Sequence, residues 1–319
     1  MKLYPLKLRP VVKEIIWGGS KLKTDYNKKA DFDKLAESWE VTVRPDGMSV
    51  IENGEYAGMS LGEYIDKATY AVIGEGYEGD RFPLLIKFID ARESLSIQVH
   101  PADEYSLKNE NEFGKTEMWY IVDCDEGSEL IIGTKPGYSQ EAFDAAVKND
   151  TVEDLFIHQK VKPGEVYFIP AGMVHAIGAG ILICEIQQNS NVTYRVYDFG
   201  RLGKDGKPRE THVDKARDVI ENHSAADVER MQFACAKERT PDLLACCDKF
   251  TVNKYGFINL SLTADKGSFL SLTFLSGEGT ITFGGEEYTF TKGETYYMPA
   301  GMGEFSLHSA GAEVIVARI

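Results

Sequence analysis

The chain has no Cys-x-x-Cys pair, no long apolar run and no surplus of basic charge, and each lack argues against a class of protein. Its five cysteines, Cys124, Cys184, Cys235, Cys246 and Cys247, are odd in number, and the closest two are adjacent. That pattern fits neither zinc-finger spacing nor a secreted disulfide framework; reduced core thiols are expected. No apolar segment approaches bilayer-spanning length. The opening M-K-L-Y-P-L-K-L-R-P has neither an unbroken apolar stretch nor a small-residue cleavage site. A soluble cytoplasmic protein with no membrane partner is expected. The net charge of −15 argues against nucleic acid and anionic membrane surfaces, which need a basic face. A small anionic ligand needs only a few local cations. Low-complexity sequence is absent too. Gly200 to Arg209, G-R-L-G-K-D-G-K-P-R, lacks the strand-to-helix context and Gly-Lys-Ser/Thr ending of a phosphate loop. It reads as a plain turn around Asp205-Gly206.

What the chain does contain is a repeated corner. Gly164 to His175, G-E-V-Y-F-I-P-A-G-M-V-H, reads as a turn, a short alternating strand, a Pro170-Ala171-Gly172 turn and a histidine three residues on. Gly293 opens the same string, which reaches Pro299-Ala300-Gly301-Met302 and carries Glu304 at the histidine position. Length and repeat together predict two units, 1–236 and 237–319, divided at the polar stretch Lys237 to Pro241.

Most of the remaining pattern is strand. Glu37 to Val43 closes on a Pro45-Asp46-Gly47 turn; Pro5, Pro10 and Gly18-Gly19 break any early helix. Trp17, before those glycines, lines a cleft entrance or packs at the turn. Leu84 to Ile89 is apolar except for Lys87, which either snorkels to an edge or enters a polar cavity. In Ser94 to His100, period two sets Ser96, Gln98 and His100 on one face and Ile97 and Val99 on the other. Gly114 to Val122, Glu129 to Gly133, Ile181 to Ile186 and Val192 to Tyr197 continue the sheets. Short helices are predicted after capping boxes at Ser60 and Thr151, after a Ser139 cap, and over Asp214 to Asn222. After residue 241 the evenly spaced glycines predict a β-sandwich or small barrel.

Gln98, His100, Glu117 and His175 form the candidate site. Two imidazoles, a carboxylate and an amide oxygen compose a Zn2+ shell with a position left open, provided a curled sheet brings them together. His158, His212, His223 and His308 have no such context and read as ordinary.

The strings S-I-Q-V-H-P, G-K-T-E-M-W-Y, I-P-A-G-M-V-H-A-I and N-S-N-V-T-Y-R-V-Y-D-F, with the early W-G-G and E-S-W-E, resemble the short bacterial type I mannose-6-phosphate isomerases of the cupin superfamily. The likeness runs in order through residues 1 to 220, with a degraded cupin behind it. It implies a mainly β fold: two cupin (jelly-roll) β-barrels with a small helical insert in the first. It implies one Zn2+ per chain at Gln98, His100, Glu117 and His175, and Arg195 in the active site. Ser96, Lys115 and Arg201 would hold the phosphorylated hexose beside Trp17, and Lys87 would lie near the reacting carbons. Lys87, Lys115 or a water at the metal would carry the proton through a cis-enediol in this step of carbohydrate metabolism. The second barrel, lacking the histidines, would hold no metal, with Glu304 exposed in a turn. A homo-oligomer is compatible with the sequence. Two other readings stand beside this one: a metal-cupin enzyme of another kind, such as a dioxygenase or decarboxylase, and a non-catalytic sugar-binding bicupin. Glutamine in place of a first histidine weakens the redox alternative.

Overall fold

Short alternating segments punctuated by glycine bury one face each, and sheets built from them close on one another. The computed structural model describes residues 1–203 and 206–319. Asp205 of the expected turn lies outside the described residues, and Leu202 bridges Pro208 around it.

Two sheets make the first barrel. The six-stranded sheet runs Val166–Ile169, Glu117–Cys124, Ile181–Gln188, Leu84–Ala91, Val11–Gly19, Leu35–Val41. The five-stranded sheet runs Phe156–Lys160, Glu129–Thr134, His175–Ile177, Ile97–Val99, Tyr194–Tyr197. Between them lies a core that takes Ile89, Trp119, Ile121 and Ile183 from the first sheet and Leu130 and Ile177 from the second. The outer face of the five-stranded sheet is also apolar. Ile97, Val99 and Tyr194 pack there under Phe143 and Ala146 of the Gln140–Lys148 helix and Ala216 and Val219 of the Val213–Val219 helix. Because those helices cover the Ile97/Val99 face, the Gln98 face must line the barrel interior.

A nine-stranded sheet makes the second barrel, and it takes in strands Leu6–Arg9 and Val50–Ile51 from the start of the chain. Leu6 pairs with Tyr297 and Leu8 with Ile51. The path therefore crosses the 236/237 division before it reaches the first barrel. The back of the six-stranded sheet (Ile86, Phe88, Met118, Cys184, Ile186) packs in one cluster with Leu6, Phe269, Tyr297 and Ile315. Each such side chain contributes roughly 1.5–3 kcal/mol when fully buried.

The helices are short and spread among the connections. Ser60 makes a full capping box with Glu63, and Ser139 caps through the Ala142 N–H. Thr151 does not cap: its side chain makes no such bond, and a 3-10 turn, Val152–Leu155, follows. The helix expected from Asp214 begins one residue earlier, with His212 at its N-cap. A further capping box, Ser224 with Asp227, opens Ala225–Gln232 and was legible as S-A-A-D. No helix among the described residues is long and apolar enough to cross a membrane.

Candidate metal centre and active site

Three different strands and one corner deliver the cluster. Gln98 lies on Ile97–Val99, with His100 just past its end; His175 opens the strand after the Gly172 corner and sits directly opposite Gln98. Glu117 opens its strand in the facing sheet, opposite Ile169 and Gln187. The result is compact. His175 Nε2 lies 3.1 Å from His100 Nε2, 3.4 Å from Glu117 Oε1 and 3.4 Å from the Gln98 amide nitrogen. Turning that amide over presents Oε1 instead. Glu117 Oε2 lies 3.8 Å from His100 Nε2. Ligand atoms of His100, Glu117 and His175 all fall within 4.8 Å of one another, the only such His/Cys/Asp/Glu group among the described residues.

Elementary electrostatics explains what this arrangement lacks. All three side chains are at most 1% exposed. Burial drives the His175 imidazole down to about 4 and His100 well below the ordinary histidine range. Burial also raises the Glu117 carboxyl, as does the nearby Glu185 charge. Glu117 Oε1 is buried without a hydrogen-bond partner. Imidazoles held neutral by burial, converging with a carboxyl group that has an unpartnered oxygen, form the donor set of a divalent ion. His175 Nδ1 donates to the Met173 carbonyl at 2.9 Å, which fixes the tautomer and leaves Nε2 facing the cluster. The residues therefore fit a metal ion.

Two lysines enter the same interior. Lys115 Nζ stands 2.8 Å from Glu117 Oε2 and 3.1 Å from His100 Nε2, against the cluster itself. Lys87 is 4% exposed, so the polar-cavity alternative holds and the edge alternative fails. Its Nζ lies 3.4 Å from Glu185 Oε1 and 3.5 Å from Glu37 Oε2. Burial pulls this ammonium down, but Glu37, Glu185 and Glu117 outweigh it, and Lys87 ends above its ordinary value. The two carboxylates are themselves held by indoles: Trp119 Nε1 donates to Glu185 at 2.9 Å and Trp39 Nε1 to Glu37 at 2.6 Å.

Glu185 was missed in the sequence, though it left a trace. It is the one charge in I-L-I-C-E-I-Q-Q, as Lys87 is in L-L-I-K-F-I, and the two are direct cross-strand partners.

Of the remaining expected residues, Ser96 is buried on the strand approach to Gln98, and Arg195 is the cross-strand partner of Gln98. Arg201 is tied down, its guanidinium bonded to Asp198 at 2.5 Å and to the Ser94 carbonyl. Arg209, another residue the sequence did not single out, binds the same aspartate. These two arginines hold the Asp198 carboxyl below its usual range although burial opposes them. Trp17 requires a correction. It is 3% exposed within the core of Ala36, Ile89 and Trp119, so the ring is packed and lines no cleft entrance. Glu304 is exposed as expected, but it lies on the strand Gly303–Arg318 rather than in a turn. His158 faces Glu129 and His308 bonds Asn259, both at the surface.

Comparison with known proteins agrees with this geometry. The family description "Phosphomannose isomerase type I, catalytic domain" matches residues 5–153, and "Mannose-6-phosphate isomerase, cupin domain" matches residues 240–319. The mannose-6-phosphate isomerase ManA of Bacillus subtilis is 38% identical over the full length of both chains. The mannose-6-phosphate isomerase of Streptococcus mutans is 35% identical over 92% of each. The crystal structure of the Bacillus subtilis mannose 6-phosphate isomerase superposes with a TM-score of 0.88 at 34% identity, covering 99% of both chains. A point mutant of phosphomannose isomerase from Salmonella typhimurium, 16% identical with a TM-score of 0.75 over 98% of each chain, shares the fold. A mainly β cupin architecture, a buried two-histidine, one-glutamate cluster and 38% identity over the full length to a mannose-6-phosphate isomerase converge on one conclusion: the chain belongs to the type I mannose-6-phosphate isomerases.

Proposed function

We propose that the chain interconverts mannose 6-phosphate and fructose 6-phosphate through a cis-enediol, with one zinc held by Gln98, His100, Glu117 and His175. The observation that carries the reading is the buried convergence of His100, Glu117 and His175 beside two lysines. A bound zinc ion supplies Lewis acidity, polarising the sugar's carbonyl and hydroxyl oxygens. The rest belongs to side chains. Glu37 and Glu185 keep Lys87 charged, which suits it to steady negative charge on the sugar oxygens and to give them a proton. Lys115 is the amine nearest the cluster and, acting in its uncharged form, is assigned the proton that leaves C2 and returns to C1. The hydroxyl proton passes from O2 to O1, so the aldehyde at C1 becomes an alcohol and the alcohol at C2 a ketone. Arg195, opposite Gln98, faces the same interior with a planar fork suited to an enediolate or a phosphate. Ser96 and Arg201 are assigned to the phosphate end. In this reading residues 1–236 are catalytic and 237–319 hold no metal.

A coupled assay tests the proposal. Conversion of mannose 6-phosphate should vanish with a chelator and return with zinc. Full turnover after exhaustive chelation would remove the metal, and no turnover with zinc bound would remove the substrate.

A further inference from the structure

The strand Tyr194–Tyr197 is the last of the five-stranded sheet, so among the described residues one edge of Arg195 has no strand beside it. That edge is closed by His212. The Arg195 N–H donates to His212 Nδ1 at 3.2 Å, and the Arg195 carbonyl accepts from the His212 N–H at 2.7 Å. In an antiparallel strand, the N–H and C=O of one residue point to the same side. Both groups of Arg195 therefore point away from Gln98, its partner in register. This is the pair type without mutual hydrogen bonds, and it sets the Arg195 side chain on the same face as Gln98. The same short segment holds the other end of the side chain, since Arg195 Nη1 donates to the Glu210 carbonyl at 2.6 Å. Arg209 anchors the segment in turn through Nε to Asp198 Oδ2 at 2.6 Å, one residue past the strand. His212 occupies a helix N-cap, yet its side chain makes no capping bond. The ring is used on Arg195 instead. Burial and the Arg195 charge press its imidazole below the ordinary range, against the pull of Glu210, so Nδ1 keeps its lone pair at neutral pH.

We propose that His212 is a positioning residue: its Nδ1 and backbone N–H clasp the strand edge at Arg195 and hold the Arg195 side chain in place on the face it shares with Gln98 before substrate arrives. Such preorganisation matters because a donor that is already aimed needs no rearrangement as charge develops. The inference rests on the reading of Arg195 as an active-site residue. Arg209 and Glu210 contribute as anchors, and together with His212 they make residues 209–212 a clip on the strand.

Steady-state kinetics of the zinc-loaded enzyme test this. His212→Leu should lower kcat by roughly tenfold to a hundredfold, the scale of a misplaced catalytic group, with zinc content and thermal midpoint near those of the parent. His212→Asn, whose Oδ1 can accept the same N–H, should recover most of the loss. In an Arg195→Ala background, His212→Leu should cost nothing further, because the two changes remove one function. A parental kcat for His212→Leu, or losses that multiply in the double variant, would overturn the proposal. Arg195→Ala with full kcat would instead overturn the assignment of Arg195. The double variant also separates positioning from a general loss of folding, since a folding defect would persist without Arg195.

Discussion

At the first corner Gly164 and Gly172 take φ of 91° and 85°; at the second Gly293 and Gly301 take 87° and 76°. The Met173 N–H bonds the Pro170 carbonyl at 3.1 Å, and the Met302 N–H bonds the Pro299 carbonyl at 3.1 Å. One backbone has been made twice. The side chains then part company. Gly303, where the first corner has Val174, takes φ of 99°, a region that favours glycine. Beyond it Glu304 is exposed and Phe305 is 2% exposed, whereas His175 is fully buried. The interior of the second barrel is filled with rings: Phe274 and Phe290 stack at 3.8 Å, with Phe257 and Tyr296 beside them. Its corner serves the first barrel instead. Buried Glu40 accepts from Ser38 at 2.6 Å and Thr295 at 3.0 Å and pairs with Lys28 at 2.6 Å, and Lys28 also donates to the Gly293 carbonyl. The comparison teaches that the corner fixes direction, while the chemistry depends on which face the next residues take.

That contrast can be broken at several points. Glu117→Ala should do the most, lowering kcat/KM at least about a thousandfold, because several kcal/mol of transition-state stabilisation go with the ion. The coupled assay reads this directly, and near-parental turnover would remove Glu117 from the ligand set. Phe290→Ala in the second barrel should lower stability by about 3–5 kcal/mol in urea unfolding while kcat per folded molecule stays at the parental value. A selective loss of kcat would give that barrel a catalytic share.

Acid should act on the first barrel through His175. Its folded-state value of about 4 lies below the ordinary histidine value, so the unfolded chain binds the proton first. Metal-free protein should therefore lose stability as pH falls from about 7 toward 4, and His175→Gln should flatten that part of the profile. An unchanged slope in the variant would assign the effect elsewhere. Glu304→His should do least. It restores the histidine of the motif on an exposed strand position, so stability should move by no more than about 0.5 kcal/mol and zinc stoichiometry should not rise. A second bound zinc would show that the corner alone makes a site.

The sequence carried the barrel and the cluster far because both are written in short periods. Alternation through Ser96, Gln98 and His100 needs only an apolar cover on the other face, and the two helices above Ile97 and Val99 provide it. Other features depend on pairing between distant segments, which no local pattern records. The first strand joins the last barrel through Leu6 and Tyr297, 291 positions apart in the register 6 to 297. His212 reads as an ordinary histidine until the strand edge at Arg195 is placed beside it. Trp17 was ambiguous for the same reason, since a ring before a glycine turn can face core or cleft.

The most direct test of the central claim is zinc content per chain, measured by elemental analysis on the purified protein and on His175→Ala. One zinc in the parent and none in the variant is the expected result. Two in the parent, or one retained by the variant, would contradict the account of one armed barrel and one that only supports it.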